Sequence, residues 1–137
     1  MRFDEFLIQV KGIDIHGLRA EYTAQYANTK LDEQEVLNDA LGQVSLRFDI
    51  PKLDILIRSR KREIVLARMI TQCLIYQKLS PNTSLKRVGL LTGGYDHSSI
   101  INSRKSVSNF YETNKNFKFN IDGLFAHFNL NFEIYKN

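Results

Sequence analysis

Asp96-His97-Ser98-Ser99 sets a carboxylate, an imidazole and two hydroxyls in consecutive positions, directly behind Gly93-Gly94-Tyr95. Such groups could form an acid–base pair or hold a metal, but adjacent positions on a helix point about 100° apart and do not converge on one atom. No other His/Asp cluster supports them, so neither catalysis nor a metal site is expected. The run suits recognition better. Exposed amides and the dipole at a helix N-terminus favour phosphate, serine hydroxyls donate to phosphate or base, and a serine methylene can touch a thymine methyl. Asp96 would be repelled by phosphate, which leaves it two readings: a cap for its own helix, or an acceptor from a cytosine amino group. His97 could be a packed core histidine, but just after a tight turn its side chain is expected to reach solvent.

A second cluster, Arg58-Ser59-Arg60-Lys61-Arg62, places four cations in five residues. It sits in an uneven charge distribution. Residues 1–46 carry four Lys/Arg against eight Asp/Glu, residues 47–118 fourteen against five, and residues 119–137 one against two, so the middle has a surplus of nine cations. A basic segment between acidic or neutral flanks is how a polyanion-binding face looks in sequence, because each neutralised phosphate releases condensed counterions. A solvated surface is the plain alternative. At 137 residues, with 43% hydrophobic and 25% charged residues and two prolines, the chain can build one core. No apolar run approaches a bilayer span and no signal-peptide pattern opens the sequence, so a cytoplasmic protein is expected, without membrane contact. Cys73, the single cysteine, lies among Met69, Ile70 and Leu74 at helical spacing and reads as core.

The elements that must position these clusters follow from periodicity. Val36, Leu37, Ala40, Leu41, Val44 and Phe48 make one apolar stripe from about residue 33 to 48. Pro51 fits the first turn of a short helix. After the basic cluster, Leu66, Met69, Ile70, Cys73, Leu74 and Gln77 give a buried helix that ends before Pro81. Thr83 or Ser84 can cap a short helix with Leu85, Val88 and Leu91 inward, and Gly93-Gly94 ends it. Asp96 then caps a longer helix with Ile100, Ile101, Val107, Phe110 and Tyr111 inward and Asn102, Arg104 and Lys105 elsewhere on its surface. Short helix, tight glycine turn and longer helix make a helix-turn-helix unit.

The ends read less simply. Phe3, Phe6, Leu7 and Val10 suggest a helix, whereas Ile13-Asp14-Ile15 and Phe117-Lys118-Phe119-Asn120-Ile121 alternate as strands do. Leu124, Phe125 and Phe128 fit a helix; Phe128, Leu130, Phe132 and Ile134 fit a strand. The fold class expected is mainly α, a helical bundle in which short strands remain open in the two terminal segments.

Taken in order, Arg60-Lys61-Arg62-Glu63-Ile64-Val65-Leu66-Ala67-Arg68, Ser84-Leu85, Val88-Gly89 and Gly93-Gly94-Tyr95-Asp96-His97-Ser98-Ser99-Ile100 resemble the C-terminal DNA-binding domain of the bacterial replication initiator DnaA. That family has a basic loop, a Pro-Arg-Gln helix and a Gly-Gly-Arg-Asp-His-Thr-Thr-Val recognition helix, in a fold related to the Trp repressor. Phe48-Asp49-Ile50 and Asp54-Ile55-Leu56 extend the likeness to about residues 34–112. It leaves an acidic N-terminal extension, 1–33, and a C-terminal extension, 113–137, expected to pack on the domain. Departures are Ala67 at the family's proline, Met69 at its glutamine, Thr92 at its phenylalanine and Tyr95 at its arginine, with a longer connection at Leu79-Ser80-Pro81-Asn82-Thr83.

The resemblance implies a double-stranded DNA ligand. Asp96, His97, Ser98 and Ser99 would meet base edges and nearby phosphates in the major groove, while Arg60 and Arg62, with Lys61 between them, would reach into the adjacent minor groove. Arg68, Lys86, Arg87, Arg104 and Lys105, spread over several elements, read as phosphate contacts, with Asn102 on the same helix. Tyr95 would stack on sugar, donate to phosphate, or cover the turn. No G-x-x-x-x-G-K-[ST] loop occurs, so no nucleotide or other cofactor is expected. The rival class is a protein-interaction module or transcriptional regulator whose acidic N-terminal segment binds a partner.

Overall fold

Leu37, Ala40, Leu41 and Val44, spaced at three and four residues, are all buried on one face of the first helix, α1, residues 33–48. The computed structural model describes residues 33–136. Helix α1 ends where Asp49 adopts φ +56°, a conformation an aspartate tolerates, and the Ile50 amide reaches back to the Ser45 carbonyl at 3.3 Å. Pro51 directly precedes the single turn α2, Lys52–Ile55, which buries Ile55.

Helix α3, Arg62–Leu79, is the central element. Its second half buries six consecutive residues, Ile70 to Ile75, leaving almost no face for solvent there. It packs against α4, Leu85–Leu91, and α5, His97–Thr113. Ser84 caps α4 by accepting the Arg87 amide at 3.1 Å. Asn114 alone separates α5 from α6, Lys115–His127, and its Oδ1 accepts the Phe117 amide at 2.9 Å.

The described residues contain no strand. The alternation Phe117, Phe119, Ile121 belongs to α6, in which Phe117, Ile121, Leu124 and Phe125 recur at helical spacing and are buried, while Phe119 is 76% exposed. Phe128 to Ile134 is likewise not a strand: Asn129 at φ +62° ends α6, and the chain continues as an extended tail that finds no strand partner. Phe128 is buried, and Leu130 and Phe132 pack on the core. Phe110, expected inward, is 39% exposed. The readings at Phe3 to Val10 and Ile13 to Ile15 lie outside the described residues.

Candidate nucleic-acid interface

The turn between α4 and α5 is built on a close approach of backbones. Gly89 is buried, and its carbonyl accepts the amides of Gly94 at 2.9 Å and Tyr95 at 3.0 Å. A Cβ on Gly89 would lie 1.9 Å from the Tyr95 carbonyl oxygen, so only glycine fits. Gly93 and Gly94 then take φ +119° and +83°, which reverses the chain. Asp96 follows as the cap of α5, accepting the Ser99 amide at 3.0 Å. That backbone hydrogen bond is the main cause holding its carboxyl below the ordinary 3.8.

Beneath the turn lies a buried polar network. Gln72 of α3 donates to Thr92 Oγ1 at 3.1 Å and accepts from Ser103 Oγ of α5 at 2.5 Å, while Thr92 Oγ1 also donates to the Val88 carbonyl at 2.8 Å. One amide thus registers both helices of the pair against their support. Thr92, where the DnaA pattern has phenylalanine, supplies the hydroxyl. A glutamine among the buried positions of a helix was the sequence signal for this network, and only its partners were hidden.

The basic loop lies against the same turn. Arg58 Nη2 donates to the carbonyls of Gly93 at 3.3 Å and Gly94 at 3.1 Å. Its guanidinium stands 4.4 Å from the Tyr95 ring centre and that of Arg68 5.0 Å, with Arg68 also donating to the Ile57 carbonyl at 3.3 Å. Tyr95 is therefore braced between two cations. Arg60 shares one hollow with Arg58, Ser59, Arg68 and Tyr95, and another with Arg62, Val65, Leu66, Met69, Ser106 and Phe110. The loop thus runs along one flank of α5. Arg58, which the sequence placed in the basic cluster but to which it gave no role of its own, is the one that ties loop to turn.

Arg60, Lys61, Arg62, Asp96, His97, Ser98 and Asn102 are exposed, and Ser99 is half-buried. Lys86 and Arg87 lie exposed on α4. Arg104 is placed differently: half-buried, its guanidinium stands 4.6 Å from the Tyr76 ring centre and 4.9 Å from that of Tyr135. Lys105 Nζ is exposed, 5.8 Å from the same Tyr135 ring. Arg104 is therefore not brought together with the basic loop. Burial pushes the Cys73 thiol up to about 12, which leaves it a protonated core group. Among the described residues no three His, Cys, Asp or Glu side chains gather as a metal site would require, and no helix is long and apolar enough to cross a membrane.

A capped helix presented by a glycine turn, locked to its support and edged by arginines, defines a DNA-binding helix-turn-helix domain. The chain belongs to the family described as the bacterial dnaA protein helix-turn-helix, whose model matches residues 38–107. It is 28% identical over 88 residues to the chromosomal replication initiator protein DnaA of Bacteroides fragilis, covering 64% of this chain and 18% of that protein. With the protein of the same name from Bacteroides thetaiotaomicron it is 33% identical over 82 residues, 60% of this chain and 17% of the relative. With that of Porphyromonas gingivalis it is 30% identical over 94 residues, 68% and 20%. The chain thus spans a fifth or less of the length of these curated relatives. No solved structure matches it.

Proposed function

We propose that this chain binds double-stranded DNA sequence-specifically, at sites of the kind read by the initiator's own helix-turn-helix, and acts in replication initiation or its regulation. One observation carries the reading: exposed His97 and Ser98 stand at the capped N-terminus of α5 while the exposed cations Arg60 and Arg62 edge the same helix. Groups able to read base edges and groups able to neutralise phosphate are then available to one duplex. The replication role is supported by the relatives' name, chromosomal replication initiator protein. In this reading the chain makes and breaks no bond and uses no nucleotide.

Fluorescence anisotropy with a labelled initiator-site duplex and a scrambled duplex, over a salt series, tests it. The initiator-site duplex is expected to bind tighter, and log affinity to fall linearly with log salt. Equal affinity for the two duplexes would refute sequence-specific recognition, and a flat salt response would refute phosphate binding. ATP is expected to change neither Tm nor DNA affinity.

A further inference from the structure

Helix α5 has a second flank. Arg104 and Ser108, four residues apart, lie one above the other on it, and both meet the tail: Arg104 under the Tyr135 ring, Ser108 through its Oγ, which accepts the Tyr135 amide at 2.7 Å. Ser106 and Phe110, about 200° and 240° round the helix from Arg104, share a hollow with Arg60 and Arg62. The tail and the basic loop therefore border α5 on opposite sides.

The tail is held in place by specific bonds. Gln77 donates to the Asn131 carbonyl and accepts the Glu133 amide at 3.1 Å, Lys78 donates to the Phe128 carbonyl at 3.2 Å, and the Phe132 ring packs 4.6 Å from Tyr111 and 5.2 Å from Phe125. This anchoring puts Tyr135 over Arg104 and beside Lys105, with exposed Lys136 next in the chain. Glu133 lines the same hollow as Arg104, yet neither Arg104 nor Lys105 forms an ion pair with another described residue. A cation over an aromatic face is oriented but keeps its charge.

We propose that Lys105, which lies between the two flanks with its Nζ 5.8 Å from the Tyr135 ring, and Lys136 form a second phosphate-binding arm on the tail side of α5, positioned by Arg104 and Tyr135. This rests on the reading of α5 as the helix that enters the major groove. A helix about 10–12 Å across fills a groove about 12 Å wide, so both its flanks stand against a sugar-phosphate backbone. The basic loop serves one backbone; on the tail flank Arg104 and Lys105 gather about the Tyr135 ring, with Lys136 next in the chain. Tyr135 and Lys136 lie beyond residues 38–107, the part of the chain that the family model matches.

Phosphate-ethylation interference on both strands, together with salt slopes, tests the arm. Wild-type protein is expected to show interference at phosphates on both sides of the groove. Lys105→Gln with Lys136→Gln, both exposed positions, should abolish it on one side only, weaken initiator-site and scrambled duplexes alike, and lower the salt slope by about 0.9 for each phosphate no longer neutralised. Tyr135→Ala should reduce the same interference, and Tyr135→Phe, which keeps the ring, should restore it. An unchanged slope and pattern in the double lysine variant overturns the arm, as does tighter binding by Tyr135→Ala, which would mean that the tail holds the cations off DNA. Wild-type interference on the loop side alone defeats this inference and leaves the recognition helix standing. Its absence from both strands defeats the two together.

Discussion

The two flanks of α5 carry arginines and aromatic rings alike but hold their cations in different ways. On the loop flank, Arg58 ties an irregular segment to the turn through the Gly93 and Gly94 carbonyls, and Arg60 and Arg62 remain exposed. On the tail flank, Arg104 is half-buried between Tyr76 and Tyr135, its charge used to order a chain segment. Arg104 and Ser106, only two residues apart on α5, face these two neighbours, because that step turns a side chain about 200° round the axis. Charge alone therefore does not assign a role to a cation on or beside α5; the neighbour it faces does. The loop flank depends on a close glycine approach that tolerates no added atom, whereas the tail flank depends on ordinary aromatic packing.

That contrast can be broken most severely at Gly89. Gly89→Ala must push the Tyr95 backbone away, and a loss of about 3 kcal/mol is expected, lowering Tm by roughly 10 to 20 °C for a domain of this size; thermal circular dichroism measures it. Phe132→Ala, the matching lesion on the tail flank, removes a half-buried ring and should cost about 2 kcal/mol, with less effect on discrimination between duplexes than the turn variant. A smaller loss for Gly89→Ala than for Phe132→Ala would reverse the ranking of the two flanks.

Binding variants sharpen the comparison without unfolding the domain. His97→Ala and Ser98→Ala should each cost about 1 to 3 kcal/mol on the preferred duplex and much less on a scrambled one. Arg60→Ala should instead weaken both, with the salt slope smaller by about 0.9. Should His97→Ala and Ser98→Ala leave both affinities unchanged in folded protein, α5 is not the reading helix.

The smallest effect is expected in acid. The Asp96 carboxyl is held below its ordinary value chiefly by the Ser99 amide, so its cap is fully present above the unfolded value of 3.8 and is lost as pH falls through the lower folded value. Neutral conditions leave the cap intact. Carbon-detected NMR titration of Asp96 should show the depressed midpoint, and Asp96→Asn should keep the cap while removing this pH dependence; a midpoint at or above 3.8 would contradict the cap.

Local chemistry was legible in the residues themselves. Ser84 and Asp96 cap helices whose amides lie three positions on, and Gly93-Gly94 reverses the chain by its own φ angles, so each of these features is decided within a few residues. The five residues from Phe117 to Ile121 misled because a window that short admits both periods. Asn114 before it and Leu124 and Phe125 after it decide for helix, with exposed Phe119 the residue that does not fit a strand's buried face. The partners of Gln72, Gln77 and Arg104 were not legible: Gln72 meets Thr92 and Ser103, Gln77 meets the tail, and Arg104 meets Tyr76 and Tyr135. Spacing along a chain fixes which face of a helix a residue takes, but what stands opposite that face is set by segments 20 to 56 residues away. For this protein the sequence alone determined where α5 begins and how it is capped; the tertiary packing of the tail and loop decided which of the cations around it stand exposed.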